Sequence, residues 1–364
     1  MGISIPQISM QNLFIGRAFD VMTLTTAVNN VPYTPQFLGS LGDDLFLSEG
    51  VRTTDIAIQE TNGNLEVIKT SERGAPAEQS TNPKRNLRKA STVRIAKQAH
   101  VNADEVQNAL GDAALTGTPQ LQTLEALINE RAEGAFGLRA QVELTHEYHR
   151  LGGIKGVVLD KDGAELYDWY NFFGISPLAD HTTNFGALTT DGGTFEQECM
   201  QLVREMTTEL EGLPIVSMQP VVLCGDNYYD RVYTNKEVKA ARKNRDAGRG
   251  GDVFEKSKAF SSFSFGGITF ANYRGTKDGK VGIGKDEGRM FPLGVKGLFQ
   301  MLFGPPDLLG MANFKGLPIY MYMPPEEQTI RRATVEAQSD PLTLCVRPRA
   351  LRRLKHEATP ADPE

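Results

Sequence analysis

FDVMTLTTAVNNVPYTPQFLGSLGDDLFLSEGVRTTDIAIQETNGNLEVIKTSERGAP, running from Phe19 to Pro76, holds a long polar-tipped extension that a compact enzyme does not need. A loosely apolar arm, broken by Pro32 and Pro35, leads into two short alternating segments, Asp55 to Glu60 and Leu65 to Thr70. Asn62-Gly63 lies between them and predicts a hairpin, because both residues tolerate positive φ. After it, Ser71 to Lys89 is almost free of apolar side chains. Such a run inside an ordered chain is either disordered or held by another molecule.

The remainder is ordinary globular material. A chain of 364 residues that is 40% apolar has enough to build two or more cores, so wholesale disorder is excluded. Its net charge of −6 gives no general attraction for nucleic acid. No apolar run is long enough to cross a bilayer, and MGISIPQISM is too short and polar for a secretory signal. Gly2 suits a myristoylation pattern, but Pro6 stands where Ser or Thr is required. Cys199, Cys224 and Cys345 are odd in number, far apart and flanked by apolar residues, which predicts buried reduced thiols.

Along the chain, Ala90 to Ala99 reads as a strand with Val93 and Ile95 on one face, and Asn102 to Leu115 as a helix capped by Asn102. Thr118-Pro119 opens the longest element, a helix to Leu151 about 50 Å long, closed by Gly152-Gly153, with Gly134 and Gly137 marking a bend. Gly156 to Tyr170 is a hairpin turning at Asp162-Gly163, and Pro177 to Thr194 a boundary connector. A second α/β unit follows: helix Phe195 to Leu210, buried strand Pro220 to Gly225 and helix Tyr228 to Asn244. Arg245 to Asp252 is a loop. Phe263 to Tyr273, Val281 to Ile283, Arg289 to Phe303, Leu317 to Met323 and Thr334 to Arg347 are strand-like, the last with a break at Pro341.

Chemical motifs are few. His146-Glu147-Tyr148-His149 suggests a metal, but zinc-protease histidines are four apart and these are three; two histidines on the exposed side of a helix is the better reading. Gly282-Ile283-Gly284 with Gly288 lacks the register of a phosphate loop and reads as a hairpin turn. Asp226, after a buried strand, suits a catalytic carboxylate or a helix N-cap, and the cap is favoured. No Ser/His/Asp or Cys/His constellation assembles from five scattered histidines. Basic residues cluster at Lys84, Arg85, Arg88 and Lys89; at Lys236, Lys239, Arg242, Lys243, Arg245 and Arg249; and at Arg347, Arg349, Arg352, Arg353 and Lys355. The first and third clusters have no interleaved aromatics for stacking on bases, which favours solvated faces or salt bridges to neighbouring copies. The expectation is no catalytic, cofactor-binding or metal residues, no cofactor, and no enzyme.

Four segments carry a resemblance: Leu24 to Phe46, Gly50 to Pro76, Pro220 to Asn235 (PVVLCGDNYYDRVYTN) and Glu336 to Pro348 (EAQSDPLTLCVRP). In that order they resemble the major capsid proteins of tailed phages, specifically the lambda-type capsid protein E family with the Hong Kong phage shell fold. The resemblance implies an α+β phage major capsid protein fold with an N-terminal arm, an extended β-hairpin loop, a peripheral domain with a long spine helix and an α/β axial domain. Its parts fall at 1–50 for the arm, 51–100 for the extended loop and flanking strands, and 101–194 for the peripheral domain with spine helix 119–151. The axial domain is 195–303, and 304–364 returns to the peripheral domain and ends in a loose tail.

The resemblance further implies a structural protein of the virion, assembled in host cytoplasm, that self-assembles as hexamers and pentamers into an icosahedral head enclosing dsDNA without sequence-specific binding. Partners would be other copies of the chain, separate scaffold and portal proteins and decoration proteins, with no membrane. A cellular encapsulating shell protein of the same fold is the alternative, and an α/β enzyme with its site near Asp226 a more distant one. The lysine–asparagine pair that crosslinks some relatives is not identified here.

Overall fold

Two apolar cores organise the described residues, and one helix belongs to both. The computed structural model describes residues 37–62, 84–113, 120–134, 136–185, 194–245, 262–273, 275–276, 281–329 and 331–356. Most of the expected arm, Asn62-Gly63 as a complete turn, the strand Leu65 to Thr70, the Thr118-Pro119 helix start, most of the loop Arg245 to Asp252 and the tail lie outside them. Chain order begins with a short helix α1 (Phe37–Ser40), then strands β1 (Phe46–Gly50), β2 (Asp55–Asn62), β3 (Lys84–Ser91) and β4 (Ile95–Asn102). Helices α2 (Ala103–Ala113), α3 (Gln120–Glu133) and α4 (Leu138–Lys155) follow, with hairpin β5 (Val157–Leu159) and β6 (Glu165–Asp168), helix α5 (Trp169–Phe173) and strand β7 (His181–Thr183).

The smaller core lies between α3, the first half of α4 and a sheet ordered β13-β14-β4, where β13 is Tyr320–Tyr322 and β14 is Arg332–Ser339. Leu124, Ile128, Leu138 and Val142 from the helices meet Met321, Val335 and Ala337 from the strands. Glu336 on β14 is buried yet satisfied. Tyr322 Oη donates to it at 2.6 Å, Gln98 Nε2 at 2.8 Å and Arg94 Nη2 at 3.0 Å, as a buried carboxylate requires.

The larger core is built on the α/β unit. Here α6 (Thr194–Glu209), β8 (Gln219–Cys224), α7 (Asp226–Thr234), α8 (Lys236–Arg245), β9 (Ser262–Phe265), β10 (Ile268–Asn272) and β11 (Glu287–Leu293) follow in order. With β7 and the terminal strand β16 (Arg352–His356) the strands make a six-stranded sheet ordered β7-β16-β11-β8-β10-β9. Phe195 stacks on Phe265 at 5.5 Å and Phe263 on Phe270 at 5.4 Å, so aromatic packing fastens α6 to this sheet. A third sheet, β1-β12-β15 with β12 (Phe299–Phe303) and β15 (Pro341–Cys345), leads into the same core. Leu151 and Ile154 carry the second half of α4 into it.

Several expected elements are divided. The 50 Å helix is two, α3 and α4, separated at Gly134–Gly137; a Cβ on Gly137 would sit 2.8 Å from the Ala132 carbonyl oxygen, closer than any side chain tolerates. Gly152-Gly153 does not end the second helix. It runs on to Lys155 and stops at Gly156, whose φ of +81° is the left-handed cap that glycine adopts without strain. The two earlier glycines serve packing: a Cβ on Gly152 would lie 2.9 Å from Val158 Cα, and one on Gly153 2.9 Å from Thr343 Cγ2.

Tyr228 to Asn244 likewise splits, because Asn235 leaves the helical region and its Oδ1 accepts the Glu237 N–H at 2.8 Å, starting α8 afresh. Ala90 to Ala99, Phe263 to Tyr273 and Arg289 to Phe303 each contain two strands, and Val281 to Ile283 is not a strand. The break expected at Pro341 and the hairpin through Asp162-Gly163 are present, and all three cysteines are free and buried.

Candidate functional site

Two features of the described residues stand out: a two-stranded ribbon and the anchorage of the N-terminal arm. The ribbon pairs β2 with β3 antiparallel, Asp55 opposite Ser91 through Asn62 opposite Lys84. Part of the polar run Ser71 to Lys89, expected to be unstructured alone, is therefore strand from Lys84 onward. Residues directly opposite share a face. Ile56 and Ala90, then Ile58 and Arg88, turn towards the body, while Ala57 with Lys89 and Gln59 with Leu87 face solvent, Leu87 being 66% exposed.

The base of the ribbon is tied down by polar contacts. Arg88 donates to the carbonyls of Phe172 and Phe173 at the end of α5, and its guanidinium carbon lies 5.9 Å from the Phe172 ring centre. Tyr167 donates its hydroxyl to the Ser91 carbonyl, and Ser91 Oγ donates to Asp55 Oδ1 at 2.6 Å. Trp169, fully buried and stacked on Tyr167 with centroids 5.3 Å apart, supports these contacts from beneath. The ribbon leaves the body at a fixed root with one basic, leucine-bearing face uncovered.

The arm is anchored by the motif that resembled a metal site. His146, Glu147 and His149 are all buried, contrary to the exposed reading, because they continue the inward stripe Leu138, Val142, Gly153 of α4. Glu147 accepts the Leu38 N–H at 2.8 Å and the Gly39 N–H at 3.0 Å, satisfying free donors of α1, and accepts the Tyr273 hydroxyl at 3.2 Å. Burial pushes its carboxyl upward, partly offset by those N–H groups and by Arg150, 3.8 Å away. His146 Nε2 pairs with Ser339 Oγ at 2.8 Å. Burial pushes His146 well down and His149 down to about 4, so both are neutral near pH 7. Among the described residues no group of three His, Cys, Asp or Glu is placed to hold a metal ion.

The other candidates also have structural partners. Gly225, not Asp226, occupies the N-cap of α7; Asp226 lies in the first turn and accepts from Asn272 Nδ2 at 3.0 Å. The glycine loop closes over that helix start, with Lys285 O accepting the Tyr228 N–H and Glu287 O the Gly225 N–H, both at 2.9 Å. A Cβ on Gly225 would lie 2.0 Å from the Gly284 carbonyl oxygen, so the two loops meet glycine to glycine. In the second basic cluster, Lys236 and Lys239 lie on α8, while the side chains from Arg242 onward fall outside the described residues. In the third cluster several members pair within the chain: Arg349 with Glu209 at 3.0 Å, Arg352 with Glu205 at 2.8 Å, and Arg353 and Lys355 with Asp180. Sequence reading missed Glu147 and Arg88 as anchors. The helical stripe through His146 contained the signal for the first, and nothing local announced the second.

Comparison with known proteins agrees with this architecture. A solved structure of the putative capsid protein of a prophage from E. coli CFT073 superposes with a TM-score of 0.54 over 93% of this chain and 99% of that one, at 11% identity. The capsid of Myoviridae phage XM1 aligns over 90% of this chain and 95% of that one at 13% identity, with a TM-score of 0.46. The major capsid protein of Salmonella phage Felix O1 (isolate Felix O1-VT1) is 23% identical over 374 aligned positions, covering 93% of this chain and 97% of the relative. The family model for phage major capsid protein E matches residues 20–356. Spanning nearly the whole molecule, that match makes the chain a member of the phage major capsid protein E family, a structural protein of the virion shell.

Proposed function

We propose that the chain is one tile of a closed icosahedral head, arranged as hexamers and pentamers around packaged dsDNA, and that it has no catalytic activity. The observation that carries this reading is the rooted ribbon with its uncovered basic face. A side chain such as Leu87 gains nothing by facing water, but gains contact when a neighbouring copy covers it. The six-stranded sheet with α6, α7 and α8 corresponds to the axial domain, joined by β16. Helices α3 and α4 with the β13-β14-β4 sheet correspond to the peripheral domain, α4 being the spine. The ribbon belongs to the extended loop, 51–100, that reaches an adjacent subunit, and the arm, 1–50, is the segment that Glu147 anchors.

In such a tile, mechanism is geometry. Many contacts of modest strength per copy add up to a strong shell while each stays reversible during assembly. A net charge of −6 suits a container whose wall must not hold its packaged DNA. Scaffold, portal and decoration functions belong to separate proteins. Negative-stain microscopy of the purified chain, alone and with a co-expressed candidate scaffold, tests the reading. Closed polyhedral particles are expected. A protein that stays monomeric at all concentrations, with and without scaffold, overturns it.

A further inference from the structure

Where the end of α4 meets the β11–β16 pair, cations outnumber carboxylates among the described residues. The antiparallel register sets Arg289 directly opposite Arg353 and Glu287 opposite Lys355, two steps apart on the same face. Lys155, the last residue of α4, reaches into this face and donates to the Gly282 carbonyl at 2.9 Å. Asp180, just before β7, sits 2.6 Å from Lys355 Nζ and 3.8 Å from Arg353 Nη1.

Glu287 is shared. Its Oε2 accepts from Arg353 Nε at 2.5 Å and its Oε1 from Arg289 Nη2 at 3.5 Å. Arg289 Nε is buried and has no hydrogen-bond partner among the described residues. Among the described residues, Lys155, Arg289, Arg353 and Lys355 gather here around Glu287 and Asp180, four cations to two carboxylates. Burial first, then Arg289, pushes Lys155 down to about 8, with Glu287 acting the other way.

Like charges directly opposite on a sheet destabilise it, and Glu287, the one carboxylate between Arg289 and Arg353, offsets only one of the two. A lone carboxylate or one phosphodiester would neutralise only one of the two charges in excess. A phosphate with a free terminus carries close to two at neutral pH, with several acceptor oxygens for guanidinium and ammonium donors. We propose that Lys155, Arg289 and Arg353 form a binding site for a phosphate dianion, either inorganic phosphate or the terminal phosphate of a nucleotide. Glu287 and Asp180 orient the cations and keep the empty site folded.

Equilibrium dialysis of the full-length protein tests this, using inorganic phosphate and deoxyadenosine monophosphate as separate probes at an ionic strength fixed with chloride. One phosphate per chain is expected, weakened about tenfold or more in Lys155→Gln and in Arg289→Gln and unchanged in the exposed control Lys97→Gln. Tighter binding of the nucleotide identifies nucleotides as the source, and equal or weaker binding identifies the free anion; either supports the site. Binding no stronger than chloride competition allows, or equal binding in wild type and both variants, overturns it. Should the variants not fold, the wild type alone decides: phosphate must bind saturably, at one per chain, in dialysis against chloride at equal ionic strength. The readout does not depend on particle formation, so it stands or falls separately from the shell reading.

Discussion

Glu147 fastens the N-terminal end of the described chain to the body, using one carboxylate for two backbone donors and a tyrosine hydroxyl. Replacing it with alanine strands those donors in a buried site, beside an Arg150 that has little other compensation. Glu147→Ala should therefore cost about 3 kcal/mol, read as a lower urea midpoint, and should expose the segment around Phe37 to protease. The histidines on either side make stability depend on pH. The fold holds His149 neutral down to about 4, whereas the unfolded chain takes up its proton near 6.5. Stability from this group is thus present above pH 6.5 and lost as pH falls towards 4, on the order of 3 kcal/mol in full. Asp340, pushed up to about 6 by burial, works in the opposite sense, because the fold keeps its proton after the unfolded chain has lost it. His149→Gln should flatten the acid-side decline, measured as urea midpoints between pH 4 and 7; an unchanged slope would show that His149 does not drive it.

At the scale of elements, α4 is the decisive piece, because its first half serves one core and its second half the other. Its glycine pair is where the β5–β6 hairpin and the β1-β12-β15 sheet approach the helix backbone. Gly152→Ala places a methyl 2.9 Å from Val158 Cα, and since backbone cannot yield as a side chain does, destabilisation of about 1–3 kcal/mol is expected in thermal unfolding. This runs against the usual gain from glycine to alanine within a helix. The ribbon depends on Arg88 in another way. Arg88→Ala removes its donors to α5 while leaving the β2–β3 ladder intact, so the subunit should fold with little change in unfolding temperature. Amide exchange in 55–62 and 84–91 should rise, and shell yield should fall.

For the whole molecule, the shell reading predicts a separation between folding and assembly. Replacing residues 64–82 with a short glycine linker should leave a subunit with wild-type circular dichroism that does not close into particles. Normal shells from that deletion would show that the loop does not join neighbours. Much of this plan was legible from the chain. The alternation of Asp55 to Glu60, the buried strand through Val221 and Cys224, the turn at Asp162-Gly163 and the break at Pro341 all follow local rules of period and turn chemistry. The same rules misread α4, because a glycine pair signals a helix end equally well as a close packing site. They misread His146 and His149 because residue type was weighed above the stripe Leu138, Val142, Gly153 on which the histidines stand.

Sequence alone determined most of the helical and extended segments, though not where several divide or end, and, through four segments in order, the family to which the chain is akin. Those depend on periodicity, turn residues and local wording, each contained within a few neighbouring positions. Tertiary structure alone decided that Glu147 holds the arm, that Arg88 roots the ribbon and that Arg289 faces Arg353. Each joins residues tens to hundreds of positions apart, and such partners are set by sheet register and helix packing, which no local stretch of sequence specifies.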